Sequence, residues 1–181
     1  MTGTTFGEIE PSVVAVSAFV VAFLGSVALW WIYFARSAEA AREVFTSSED
    51  PGRLGRSAYT YFHIPMVAGI IALAAADELT VAHPGEHGTL ASVALTLGGT
   101  ATLGGTALFV AGHAFFKWAV FGVLPFSRVV AIAALAALIP VGFAIPTLAL
   151  SGLAGLIVVV LAVWDTLTHR KPLRPEQRST T

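Results

Sequence analysis

Four stretches without a single charged side chain dominate this sequence. They cover residues 11–35, 57–76, 87–116 and 129–164, with 25, 20, 30 and 36 residues. A helix that crosses the hydrocarbon core of a bilayer needs about 20 apolar residues. Charged residues make up 12% of the chain, about half the usual share of a soluble domain. The pattern therefore predicts an all-α, polytopic integral membrane bundle and excludes a soluble globular domain or a disordered chain. A net charge of −1 leaves no basic field for nucleic acid, so the expected partner is the lipid bilayer.

The last run decides the number of crossings. As one helix its 36 residues would reach about 54 Å, well beyond a core of about 30 Å. Pro140 and Pro146 mark a break, and Ser151-Gly152 follow. Basic residues fall in three places: Arg36, Arg42, Arg53 and Arg56; Lys117 and Arg128; Arg170, Lys171, Arg174 and Arg178. With five spans and the N-terminus outside, all ten lie on the cytoplasmic side, as the positive-inside rule favours. The expected spans are about 12–35, 57–78, 89–116, 128–146 and 148–168, in one transmembrane domain over 1–181 with a flexible cytoplasmic tail at 169–181. The retained N-terminal span and the basic loops suggest a multi-pass membrane protein. The 87–116 run is expected to be one tilted helix. Residues 35–45 are expected to extend the first helix, broken by a turn-rich cluster at 47–52.

Small residues recur along the third run at Ala91, Ala94, Gly98, Ala101, Gly105 and Gly112. Such a stripe lets helix backbones approach closely in lipid, where association relies on packing. Pro65 removes one helix hydrogen bond in the second run and frees the carbonyl of Tyr61.

Ionisable residues inside spans are functional candidates. His63 and His113 lie on antiparallel spans at similar depth. Tyr59 shares the face of His63, and Thr106 and Lys117 share a stripe with His113. Together with Tyr61 and with Trp30, Trp31, Tyr33 and Arg36 at the end of the first span, they could build a polar pocket open to the cytoplasm. The aromatic group at 30–34 also reads as an interfacial belt. Asp165 is expected to pair near Arg170. Asp77, Glu78, His83, Glu86 and His87 read as a solvated outer loop, and Pro84-Gly85 breaks any helical metal spacing of the two histidines, so no metal site is expected. With no cysteine in the chain, thiolate and Cys-metal chemistry are excluded. No phosphate loop, nucleophile elbow or HExxH is present, and no catalytic residue is assigned.

The runs Ala28-Leu29-Trp30-Trp31-Ile32-Tyr33-Phe34, Tyr59-Thr60-Tyr61-Phe62-His63-Ile64-Pro65-Met66-Val67-Ala68-Gly69-Ile70 and Gly112-His113-Ala114-Phe115-Phe116 resemble the bacterial low temperature requirement protein A (LtrA) family. The resemblance covers about residues 10–168 and is to the C-terminal half of proteins about twice as long. It lacks their acidic-aromatic opening motif, and Ala35 stands where an acidic residue would follow the Tyr-Phe pair. It implies an integral membrane protein, linked by family name to growth at low temperature. It draws attention to His63 and His113 but implies no mechanism. The expected role is a non-enzymatic membrane component without a cofactor, acting as a homo-oligomer or with a partner supplying the missing N-terminal half. Two alternatives stay open: a transporter or channel with a His-lined vestibule for a small solute or protons, and a haem b protein with bis-His ligation.

Overall fold

The computed structural model describes residues 12–34, 44, 50–82 and 93–168, and among them every regular element is helical. Helix α1 spans Val13–Phe34. Ser12 opens it, its hydroxyl accepting from the Ala15 N–H at 3.1 Å. A short α2 (Pro51–Gly55) starts at Asp50, whose carboxylate accepts from the Arg53 N–H. It runs directly into a π-helical segment, Arg56–Tyr61, and then α3, His63–Ala82. Helices α4 (Val93–Phe121), α5 (Phe126–Val141) and α6 (Thr147–Thr168) complete the set.

The local chemistry explains the breaks. Gly122 adopts φ 69° and donates its N–H to the Trp118 carbonyl at 2.8 Å, closing α4 in a left-handed conformation that glycine tolerates. Pro125 then precedes α5. Pro140 sits in the last turn of α5, and residues 142–146 turn the chain into α6. The 129–164 run is thus a helical hairpin. From Val93 onward the third apolar run is a single helix.

The second run differs from the sequence expectation at both ends. The π-helical turn lets the chain restart at His63, so Pro65 falls in the first turn of α3, where a missing N–H leaves no gap in the ladder. At the other end α3 continues to Ala82, so Asp77 and Glu78 are helical, and Asp77 is buried rather than in a solvated loop. The helix keeps its backbone bonded, and Asp77 falls on the face that meets the bundle. The expected extension at 35–45 lies, apart from residue 44, outside the described residues, as do His83, Glu86, His87 and the tail at 169–181.

Helices α3 and α4 form the tightest pair, running antiparallel. A β-carbon added to Gly69 would lie 2.6 Å from the Gly105 carbonyl oxygen, and one on Gly105 would lie 2.9 Å from the Gly69 oxygen. Two turns further along α4, Gly112 abuts Met66. Helix α1 lies along α6, and α5 closes against α4 and α6. The central core draws on all five long helices, with Leu29, Ile32, Met66, Phe109, Ala131 and Leu161 among its members.

Among the described residues, four helices are long and apolar enough to cross a membrane: Val13–Phe34, Ala58–Ala82, Gly99–Phe121 and Thr147–Thr168. Helix α5 is apolar but has 16 residues, about 24 Å.

Candidate functional site

One end of the bundle collects the C-terminal turns of α1, α4 and α6 and the first turns of α3 and α5. The apolar walls leave the polar groups there few alternatives to one another. Arg128, third residue of α5, is 1% exposed. Its two terminal nitrogens donate separately to the two carboxylate oxygens of Asp165 on α6, a bidentate pair. Nη1 also donates to the Ser127 hydroxyl at 3.0 Å, while Nε has no hydrogen-bond partner among the described residues. The Lys117 ammonium on α4 lies 3.5 Å from the same carboxylate. Two cations therefore share one anion.

His113, one turn before Lys117, is fully buried. Its Nδ1 lies 3.4 Å from Arg128 Nη2. A guanidinium can only donate, so His113 Nδ1 accepts and its ring proton belongs on Nε2. His63 takes the opposite tautomer. Its Nδ1 is 3.0 Å from the Ala58 carbonyl, which can only accept, so Nδ1 carries the proton. Nε2 then accepts from the Tyr33 hydroxyl at 2.8 Å. Tyr59 stacks on His63 with centroids 5.2 Å apart. The rings of Tyr33 and Phe116 touch both imidazoles. The π-helical turn is what brings the Ala58 carbonyl within reach of a side chain five residues on.

A groove of about 370 Å³ runs from this cage between α1 and α3, floored by Phe109 of α4. Tyr33 and His63 line one end and Asp77 the other, with Met66, Ile70 and Leu73 between them. His63 and Asp77 stand about four turns apart on α3, roughly 21 Å along the axis.

The structure brings together Tyr33, Tyr59, His63, His113 and Lys117. Thr106 stands apart from them. It is buried in the middle of α4, donating to the Thr102 carbonyl at 2.7 Å, two turns from His113. Trp30 and Trp31 face outward, although Trp30 also lines the groove, and Tyr61 is two-thirds exposed. Gly105, Gly112 and Pro65 lie on the α3–α4 seam or its entry. Arg36, Arg170 and the surroundings of Gly98 lie outside the described residues. Asp165 finds its partners in Arg128 and Lys117. Sequence reasoning missed Arg128 as a buried partner, Ser127, Phe116, and Asp77. The Asp77 signal was present: it continues the helical face of His63, Met66 and Ile70. Both ring nitrogens of His63 are engaged, so ligation of a haem iron there would have to displace Tyr33 or the Ala58 carbonyl. Among the described residues no group of three or more His, Asp or Glu side chains is placed to hold a metal ion.

The tryptophan pair, the His63 cage and the His113 turn thus sit together at one end of a helical bundle. A family model described as bacterial low temperature requirement A protein (LtrA) matches residues 1–163. The chain belongs to the LtrA family. It is also similar to an uncharacterized protein of Rhizobium meliloti (strain 1021), 36% identical over 143 residues. That match takes in 79% of this LtrA chain and 34% of the relative, so the chain spans about a third of the length of the curated relative it matches. No solved structure matches the chain.

Proposed function

We propose that this LtrA-family chain is a non-enzymatic, five-span unit of the bacterial inner membrane, with its N-terminus outside and its C-terminus inside. It works beside further transmembrane helices, supplied by a second copy or by the rest of a longer family protein. One observation carries the reading: the ionic cluster is closed on itself. Arg128 holds both oxygens of Asp165, Lys117 shares that carboxylate, and Tyr33 and Ala58 occupy both nitrogens of His63. Such an arrangement clamps α4, α5 and α6 and, among the described residues, leaves no base poised beside a nucleophile. The helix ends gathered around the cluster adjoin the basic loops, which supports an odd number of crossings. The short α5 spans with the help of its apolar flanks at 122–125 and 142–146.

Reconstitution of the full chain into nanodiscs and native mass spectrometry tests this. An oligomer is expected, and it should persist when Arg128→Met is combined with Asp165→Leu. A monomer at every lipid composition overturns the association. A folded double variant that falls to monomer overturns the clamp.

The groove favours a second reading, passage of a small solute, because it is polar at both ends and extends roughly 21 Å along α3. That reading requires flux into proteoliposomes that His63→Ala reduces.

A further inference from the structure

Among the described residues, Asp77 is the one buried acidic side chain that the clamp does not use. It is 7% exposed, and no hydrogen bond or ion pair joins it to a described residue. An isolated carboxylate in apolar surroundings is costly. Among the described residues the cations within the bundle, Lys117 and Arg128, are already held by Asp165 at the other end of the bundle. Neither lines the space around Asp77.

That space is a second cavity, of about 20 Å³, where α1, α3, α4 and α6 meet. It is large enough for one water-sized particle. Asp77, Thr102, Thr106 and Ser151 are its polar lining; small residues such as Ala22, Gly25, Ala154 and Gly155 leave the room. The hydroxyl hydrogens of Thr106, Thr80 and Ser151 are already committed. Thr106 donates to the Thr102 carbonyl, and Thr80 donates to the Ala76 carbonyl, which leaves Thr80 Oγ1 to accept from Ser151 at 3.3 Å. The oxygens of Thr106 and Ser151 therefore meet the cavity through lone pairs. A carboxylate that shares a cavity with the acceptor oxygens of Thr106 and Ser151 matches a hard cation.

We propose that Asp77, Thr106 and Ser151, with Thr102, form a binding site for a single sodium ion within the bundle. One carboxylate balances one monovalent charge, whereas a divalent ion would leave net charge in an apolar interior. The confined volume favours sodium over the larger potassium. Asp77 lines the wide groove as well as the small cavity, so the groove supplies the ion's entry path. The site stands whether or not the ion crosses the membrane, and so goes beyond the clamp described above.

The test uses the full chain purified in detergent without sodium, at constant ionic strength in choline chloride. Thermal unfolding is followed as sodium replaces choline. A saturable rise in Tm of the one-site form is expected, with a weaker response to potassium. Asp77→Asn should abolish the sodium response, and Thr106→Val should shift its midpoint about tenfold to higher sodium, or about 1.4 kcal/mol. Identical curves in sodium and choline overturn the site, a water molecule being then the occupant. A sodium response kept by Asp77→Asn overturns it equally. Should that variant not fold, saturable binding of radioactive sodium to the wild-type chain decides the matter, and its absence counts against the site.

Discussion

Arg128 and Asp165 meet bidentately across the α5–α6 hairpin, each nitrogen of the guanidinium fork facing one carboxylate oxygen. The pair is 37 residues apart in sequence and stands at the mouth of a bundle whose other contacts are almost all apolar. Lys117 adds a third charge from α4. Three helices that would otherwise slide against one another are thus pinned at one depth, by interactions that allow little change of register.

Breaking this pair on one side should be far worse than removing it altogether. Arg128→Ala leaves a partly buried carboxylate beside a lone ammonium, and Asp165→Ala leaves a buried guanidinium and a partly buried ammonium. Each should cost about 3–5 kcal/mol, the usual effect of orphaning a buried charge. Replacement of both by Met and Leu should recover most of that loss. Thermal unfolding of the three proteins in one detergent checks the order. Additive losses in the double replacement would show that the two side chains act separately.

Tyr33→Phe removes one oxygen and leaves His63 Nε2 without its donor. The expected cost is about 0.5–1.5 kcal/mol, since a partly buried acceptor loses its partner. The ring contacts of Tyr33 with His63 and His113 remain. Nitrogen NMR of selectively labelled histidine is the sharper measurement. The neutral wild-type ring at His63 should carry its proton on Nδ1, and Tyr33→Phe should move the Nε2 resonance while sparing Nδ1. A proton on Nε2 in the neutral wild-type ring would contradict the hydrogen-bond assignment.

The helical class and the 140–146 hairpin were readable from run lengths and from proline and charge placement, because these depend on the chain's own period and on bilayer thickness. That His63 and His113 lie at the same end of the bundle was readable for the same reason. Rotation of each helix about its axis was not. Arg128 reads as one more basic residue at a helix end, and only the packing of α5 on α6 turns it inward. Thr106 and His113 share one stripe on α4, yet two turns separate them, so one polar stripe serves two places. Asp77 falls at the end of an apolar run, where hydropathy cannot tell a loop from another turn of helix. The π-helical turn before His63 shifts the start of α3 and leaves no mark in hydropathy.

Two neighbouring glycines on α4 should respond in opposite ways to the same change. A methyl group on Gly105 would meet the Gly69 oxygen and the Leu73 nitrogen, both at 2.9 Å, and both are backbone atoms that cannot rotate away. Gly105→Ala should force α3 and α4 apart and cost about 1–3 kcal/mol. The position of Gly104 is open, with nothing within 4 Å of the added carbon. Gly104→Ala should be neutral or stabilising, by up to about 1 kcal/mol from helix propensity. Equal losses at both sites, measured by unfolding in detergent, would place the α3–α4 seam elsewhere.

The absence of native cysteine makes the topology directly measurable by single-cysteine labelling. Cysteines introduced at Thr4 and at Ser179 should react with a membrane-impermeant maleimide from opposite faces of inverted and right-side-out vesicles. A cysteine at Gly122, in the turn between α4 and α5, should label with the C-terminal one, and one at Ala144, in the turn between α5 and α6, with the N-terminal one. The Ala144 position is decisive because α5, at about 24 Å, is the shortest of the five long helices. If α5 crosses, Ala144 and Gly122 are separated by the bilayer. If both turns label from the same face, α5 lies along that face, the chain crosses an even number of times, and Arg128 meets Asp165 at the rim of the membrane instead of beneath it.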